Sequence, residues 1–164
     1  MTNGMTGGLA PGFSLKSIDG KEYSLGKLLE RGPVVVAFFK ISCPVCQFTF
    51  PFIERLYKRY GGEDVAFFGV SQDNAADSRD FARRYGVTFP VLLDEKDYVV
   101  SNGYGISCVP TYFLIDKDGT VKVRSEGFGK AELEEISKQL AGRRKIGLAP
   151  LFAPSENVPA HKPG

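Results

Sequence analysis

Two cysteines three residues apart are the part of this sequence best suited to chemistry. Cys43-Pro44-Val45-Cys46 follows an unbroken apolar run, Val34-Val35-Val36-Ala37-Phe38-Phe39, and opens a segment with helical spacing. A run of that length without alternation predicts a strand buried on both faces, hence central and parallel. Phe48, Phe52, Ile53, Leu56 and Tyr60 then recur at helical intervals. A helix is expected over Pro44–Tyr60, kinked by Pro51 and ended by Gly61-Gly62. Cys43 would stand where a helix offers unpaired N–H groups and the positive end of its dipole, which favour a thiolate. Thiolate is the nucleophile of disulfide exchange. Cys46 lies about one helical turn further on, in reach to close a disulfide or attack a mixed one. Pro44 suits the first helical position and stiffens the turn.

The plain alternatives are a structural zinc site and inert core cysteines. Zinc needs about four ligands. Cys108, the single His161 and scattered carboxylates form no second paired cluster, so no metal is expected and no cofactor beyond the Cys43–Cys46 pair. A second signal is Val109-Pro110, directly before the apolar run Thr111-Tyr112-Phe113-Leu114-Ile115. Proline is tolerated at a strand's first position and can be cis there. A cis bond would expose the Val109 backbone beside the dithiol, where an extended peptide could pair by strand addition.

The elements that must position these residues follow from pattern. A hairpin is expected from Phe13-Ser14-Leu15-Lys16 and Glu22-Tyr23-Ser24-Leu25 around Asp19-Gly20. Val65-Ala66-Phe67-Phe68-Gly69-Val70 is a second buried strand and Val91-Leu92-Leu93 a third, with a helix over 77–85 between them. A short helix over 96–102 precedes the strand at 111–115. Asp118-Gly119 turns the chain into Val121-Lys122-Val123, and a last helix covers 130–140. Strands alternating with helices give an α/β three-layer sandwich with a central mixed sheet, an N-terminal hairpin and a helix-bearing insert. Residues 1–8 read as a flexible leader, 9–141 as the domain, and 142–164 as a basic tail without order, spaced by Pro150, Pro154, Pro159 and Pro163.

Composition narrows the function. With 164 residues, 43% apolar and 24% charged, the chain suits one soluble domain. No apolar run reaches about 18 residues, so no membrane span is expected. A net charge of +2, with Arg143, Arg144, Lys145 and Lys162 gathered in the tail, argues against nucleic acid. Three cysteines are too few for a disulfide-stapled scaffold. The start, MTNGMTGGLAPGF, lacks the cationic and apolar stretches of a signal peptide. The expectation is therefore a cytoplasmic, monomeric protein, or an exported one if a leader has been removed.

These pieces together resemble the thioredoxin superfamily, and within it the redoxin group of TlpA-like and ResA-like thiol–disulfide oxidoreductases. The matching stretches are Ala10-Pro11-Gly12-Phe13-Ser14-Leu15, Asp19-Gly20-Lys21, Cys43-Pro44-Val45-Cys46, Phe50-Pro51, Gly86-Val87-Thr88-Phe89-Pro90-Val91, Tyr104-Gly105-Ile106, Val109-Pro110-Thr111 and Phe113-Leu114-Ile115-Asp116. The resemblance implies a thioredoxin-like fold, Cys43 as attacking thiol, Cys46 as resolving thiol and Pro110 as a cis proline. Pro44, Val45, Val109 and Pro110 are then expected to face a substrate. The implied partners are protein disulfides or dithiols and an electron-donor reductase. Asp73 aligns with an acidic residue that assists proton transfer, although an Asp at a strand end also reads as a helix cap. Lys40 stands where a small residue is common; it either stabilises a thiolate or points to water. Cys108 is an accessory thiol or a small apolar residue. Ser42 replaces the tryptophan usual before the first cysteine.

Two other functions compete. Peroxiredoxins share the superfamily and resemble the regions 72–90 and 113–116. Their pattern has Thr three residues before the reactive cysteine and Arg near the late strand, where this chain has Lys40 and Pro110. A binding module gated by the redox state of the dithiol is the third reading.

Overall fold

The computed structural model describes residues 6–164. The hairpin pairs β1 (Ser14–Lys16) with β2 (Glu22–Ser24). Next come α1 (Leu25–Leu29), β3 (Val34–Phe39), α2 (Pro44–Tyr60), β4 (Ala66–Ser71), α3 (Ala75–Arg84), β5 (Val91–Leu93) and α4 (Val99–Gly103). They are followed by β6 (Thr111–Ile115), β7 (Val121–Glu126), β8 (Phe128–Gly129), α5 (Lys130–Arg144) and β9 (His161–Lys162). Five strands form one sheet in the order β5-β4-β3-β6-β7. The pairs β3–β4 and β4–β5 are parallel, and β3–β6 and β6–β7 antiparallel.

All six side chains of β3 are buried, as a central strand requires. Their alternation feeds two cores. Val35, Ala37 and Phe39 meet Phe50 and Leu56 of α2, Phe81 of α3 and Ile136 of α5. Val34, Val36 and Phe38 meet Phe13, Leu25 and Tyr104 on the opposite face. The result is the expected sandwich, with α3 as the insert between β4 and β5. Phe39 lies 4.5 Å from Phe50 and 4.6 Å from Phe81 between ring centroids. Burying one such ring contributes about 1.5–3 kcal/mol, so the strand that leads to Cys43 is fixed by its own last side chain. Helix α3 closes at Gly86, whose φ of +71° lets the Val87 N–H reach back to the Ala82 carbonyl at 2.8 Å.

Three expectations need correction. The short helix covers 99–103 rather than 96–102. Asp97 and Tyr98 both hold positive φ, which excludes them from a right-handed helix. The buried Asp94 carboxylate instead accepts the N–H groups of Val100 (3.1 Å) and Ser101 (2.7 Å). Within the leader, residues 6–8 are held against β7: Gly7 N–H donates to Val121 O and Val121 N–H to Gly8 O, both at 2.9 Å. Residues 1–5 of that leader lie outside the described residues.

The largest correction begins at residue 142. Helix α5 continues to Arg144, because Arg143 and Arg144 both reach Asp64, at 2.8 and 2.7 Å. The segment beyond it folds back instead of trailing. Leu151 and Phe152 are buried, and β9 pairs with β8. Two adjacent apolar residues among prolines have no periodicity to reveal them. They are buried because Phe52 and Phe128 present an aromatic face, with ring centroids 5.0 and 6.1 Å from Phe152.

Candidate active site

The chain leaves the centre of the sheet at Phe39 and enters a helix at Pro44. Three hydrogen bonds shape the turn between them. Cys43 N–H donates to the Lys40 carbonyl (3.3 Å), Ile41 N–H to the Asp73 carboxylate (2.8 Å), and the Gln47 amide to the Ile41 carbonyl (3.0 Å). Cys43 becomes the N-cap of α2, its sulfur accepting the Cys46 N–H at 3.1 Å. The two sulfurs differ in access: Cys43 is half-buried and Cys46 is 0% exposed. Burial pushes the Cys46 thiol well up, and its hydrogen bond with Cys43 acts in the same direction. One sulfur is therefore reachable at a helix start, while the other is kept as a neutral thiol behind it.

The facing wall precedes β6. The Val109-Pro110 peptide bond is cis. The half-buried Val109 turns its carbonyl to the Cys43 sulfur at 3.4 Å, and the Pro110 carbonyl accepts Gly127 N–H at 2.7 Å. Tyr112 fixes the next corner. Its phenol accepts Gly129 N–H at 3.0 Å, and burial raises it to about 12.

The structure thus brings Cys43, Cys46 and Val109 together, with Pro44 exposed and Val45 half-buried at the head of α2 and Pro110 buried behind Val109. The Lys40 side chain is exposed, and that residue meets the site through its carbonyl. Asn74, not Asp73, caps α3, its side chain accepting Asp77 N–H at 2.8 Å. Asp73 instead holds the turn through Ile41. Cys108 is half-buried, with its sulfur 4.0 Å from the Thr111 hydroxyl. All three cysteines are thiols.

Two polar residues of α2, Gln47 at the turn and Glu54 about two helical turns beyond it, have no sequence signal. Gln47 and Glu54 fall between the apolar positions of α2 and read as solvated. Gln47 braces the turn, and the buried Glu54 carboxylate accepts the N–H (2.8 Å) and the hydroxyl of Thr88, tying α2 to the approach to β5.

Known proteins resemble this chain in sequence and in fold. The ResA thiol-disulfide oxidoreductase of Geobacillus thermodenitrificans is 36% identical over 117 residues, 71% of this chain and 66% of that protein. The chain thus spans just under two thirds of that relative's length. The ResA thiol-disulfide oxidoreductase of Bacillus thuringiensis is 31% identical over 137 residues, covering 83% of this chain and 75% of the relative. The crystal structure of the thioredoxin domain of a thiol-disulfide oxidoreductase from Bacteroides vulgatus superposes with a TM-score of 0.73 at 23% identity, over 82% of this chain and 97% of that one. The fold is therefore thioredoxin-like. With residues 6–124 matching its pattern, the chain belongs to the AhpC/TSA family.

Proposed function

We propose that this chain is a thiol–disulfide oxidoreductase that exchanges its Cys43–Cys46 pair with protein disulfides and uses no other cofactor. One observation carries this reading: a reachable Cys43 sulfur at a helix start, backed by the buried Cys46 and faced by the Val109 carbonyl. Similarity to proteins named thiol-disulfide oxidoreductases supports it.

The reaction needs only these groups. Cys43 gives up its proton and attacks one sulfur of the substrate disulfide. A Cys43–substrate S–S bond forms, the substrate's own S–S bond breaks, and the departing thiolate takes up a proton. Cys46 then loses its proton and attacks the Cys43 sulfur. The mixed bond breaks, and the second substrate thiolate leaves and is protonated. Two electrons and two protons pass to the substrate, and the pair ends as a disulfide. The reverse sequence oxidises a substrate dithiol. In the reducing direction an electron-donor reductase restores the pair. That donor, a monomeric state and a cytoplasmic location belong to the same proposal; light scattering and cell fractionation test the last two.

The alternative reading is antioxidant hydroperoxide reduction of the peroxiredoxin kind. The site favours exchange, because the exposed Lys40 stands where a peroxidase presents Thr and Pro110 where it presents Arg.

Turnover of insulin disulfides with dithiothreitol as donor tests the reading. Cys43→Ser is expected to abolish turnover. Cys46→Ser is expected to stop after one attack and accumulate a mixed disulfide on Cys43, visible by mass spectrometry. Full turnover by Cys43→Ser, or hydrogen peroxide consumption faster than insulin reduction, overturns it.

A further inference from the structure

The segment after α5 reaches the Val109 backbone that faces Cys43. Arg59 donates to the carbonyls of Ala149 (3.1 Å) and Pro150 (3.3 Å), and Arg55 donates to that of Leu151 (3.1 Å) and pairs with Glu156. Phe152 seals the loop against Phe52 and Phe128. The chain then turns back. Lys130 N–H donates to Ala160 O at 2.9 Å, and β9 sets His161 opposite Gly129 and Lys162 opposite Phe128.

From there the chain runs onto the candidate site. The Lys162 ammonium sits 5.1 Å from the ring centre of Phe48, in the second turn of α2 after Cys43. Gly127 holds φ +78°, and a β-carbon on it would stand 2.2 Å from Lys162 O and 2.9 Å from Gly164 N. A β-carbon on Gly164 would in turn stand 2.4 Å from Val109 O. That oxygen is the one facing the Cys43 sulfur. Residues 161–164 therefore bridge the head of α2 and the Val109 backbone, where an extended chain would pair by strand addition.

We propose that residues 161–164 set the substrate size of this dithiol. Docked on Gly127 and Val109, they occupy the path of an extended polypeptide beside Cys43 and leave the sulfur open to small disulfides. Polypeptide disulfides react when the segment lifts. This rests on the exchange reading above and adds the class of disulfide that the docked form accepts.

The test compares two rates for the fully reduced protein, oxidation by insulin and oxidation by glutathione disulfide, each followed by thiol counting. Phe152→Ala and Arg55→Gln both weaken docking, and Arg55 is exposed enough that its variant folds independently of core packing. Amide exchange at Lys130, whose N–H donates to Ala160 O, reports release. If the path is open in about a tenth of molecules, release raises the insulin rate about tenfold and leaves the glutathione disulfide rate unchanged. A ratio of rates that stays constant in released variants overturns the proposal. So does a fall in the insulin rate, which would make the segment a docking rail. Failure of the wild type to react with either disulfide sinks the exchange reading itself, a different result from a constant ratio.

Discussion

The turn bearing Cys43 and the segment 145–164 lie against the same Val109-Pro110 loop but are held by different means. The turn hangs between a wholly buried strand and a helix that shares that strand's core. The segment is held by half-exposed guanidinium groups, the two side chains Leu151 and Phe152 at the margin of that core, and a two-residue strand pair. Surface ion pairs contribute about 0–1 kcal/mol each, whereas a core ring contributes several times that. The reactive sulfur therefore keeps its place as long as the protein is folded. The proposal above requires that the segment have an equilibrium of its own, opening locally at less cost than global unfolding.

The strongest way to break this contrast is in the core. Phe39→Ala should cost about 3–5 kcal/mol, read as a lower midpoint in urea unfolding, and should lower protection throughout the sheet and the Cys43 turn together. Loss of protection confined to one element would mean that the turn is not carried by the core. A smaller effect is expected at the turn's own brace. Asp73→Ala leaves Ile41 N–H without its acceptor, a loss of about 1 kcal/mol and about fivefold in the exchange rate if that bond sets the geometry. Asp73→Asn keeps an acceptor and should restore the rate with an unchanged pH profile. A shifted profile in Asp73→Asn would instead assign Asp73 a proton-transfer role.

The smallest effect sharpens the other side. The Arg55 guanidinium holds the Glu156 carboxyl at about 2, below its ordinary value near 4.5. A depressed carboxylate stabilises docking fully above the ordinary value, and that contribution fades as pH falls through the lowered one. Amide protection at Lys130, whose N–H donates to Ala160 O, should thus fall between about pH 4.5 and 2 before that of β3, and added salt, which screens the ion pair, should shrink that fall. Simultaneous loss in both regions would show that they form one cooperative unit.

The same contrast explains what the sequence discloses. Val34–Phe39 and Thr111–Ile115 are legible because burial on both faces writes a continuous apolar run. Cys43 and Cys46 are legible because, with two residues between them, they follow one such run, and Pro110 because it stands directly before the other. The fold-back after Arg144 is not. Arg55 and Glu156 are 101 residues apart, and Phe152 finds its partners only after α2 and β8 have met. Asp73 shows the same limit. Its type and position suit a cap or a proton carrier, and only the folded chain gives it Ile41 as partner.

The burial of Cys46 also has a kinetic meaning. Of the pair only Cys43 meets solvent, so in the proposed exchange a covalent complex joins one partner at a time, always through the same sulfur. The step that frees the partner takes place inside the protein's own packing, at a thiol no partner touches. The lifetime of the joined state is thus timed chiefly by how readily Cys46 sheds its proton and reaches one turn back along α2. Partners of very different surface chemistry should leave on similar clocks, even where they arrive at very different rates.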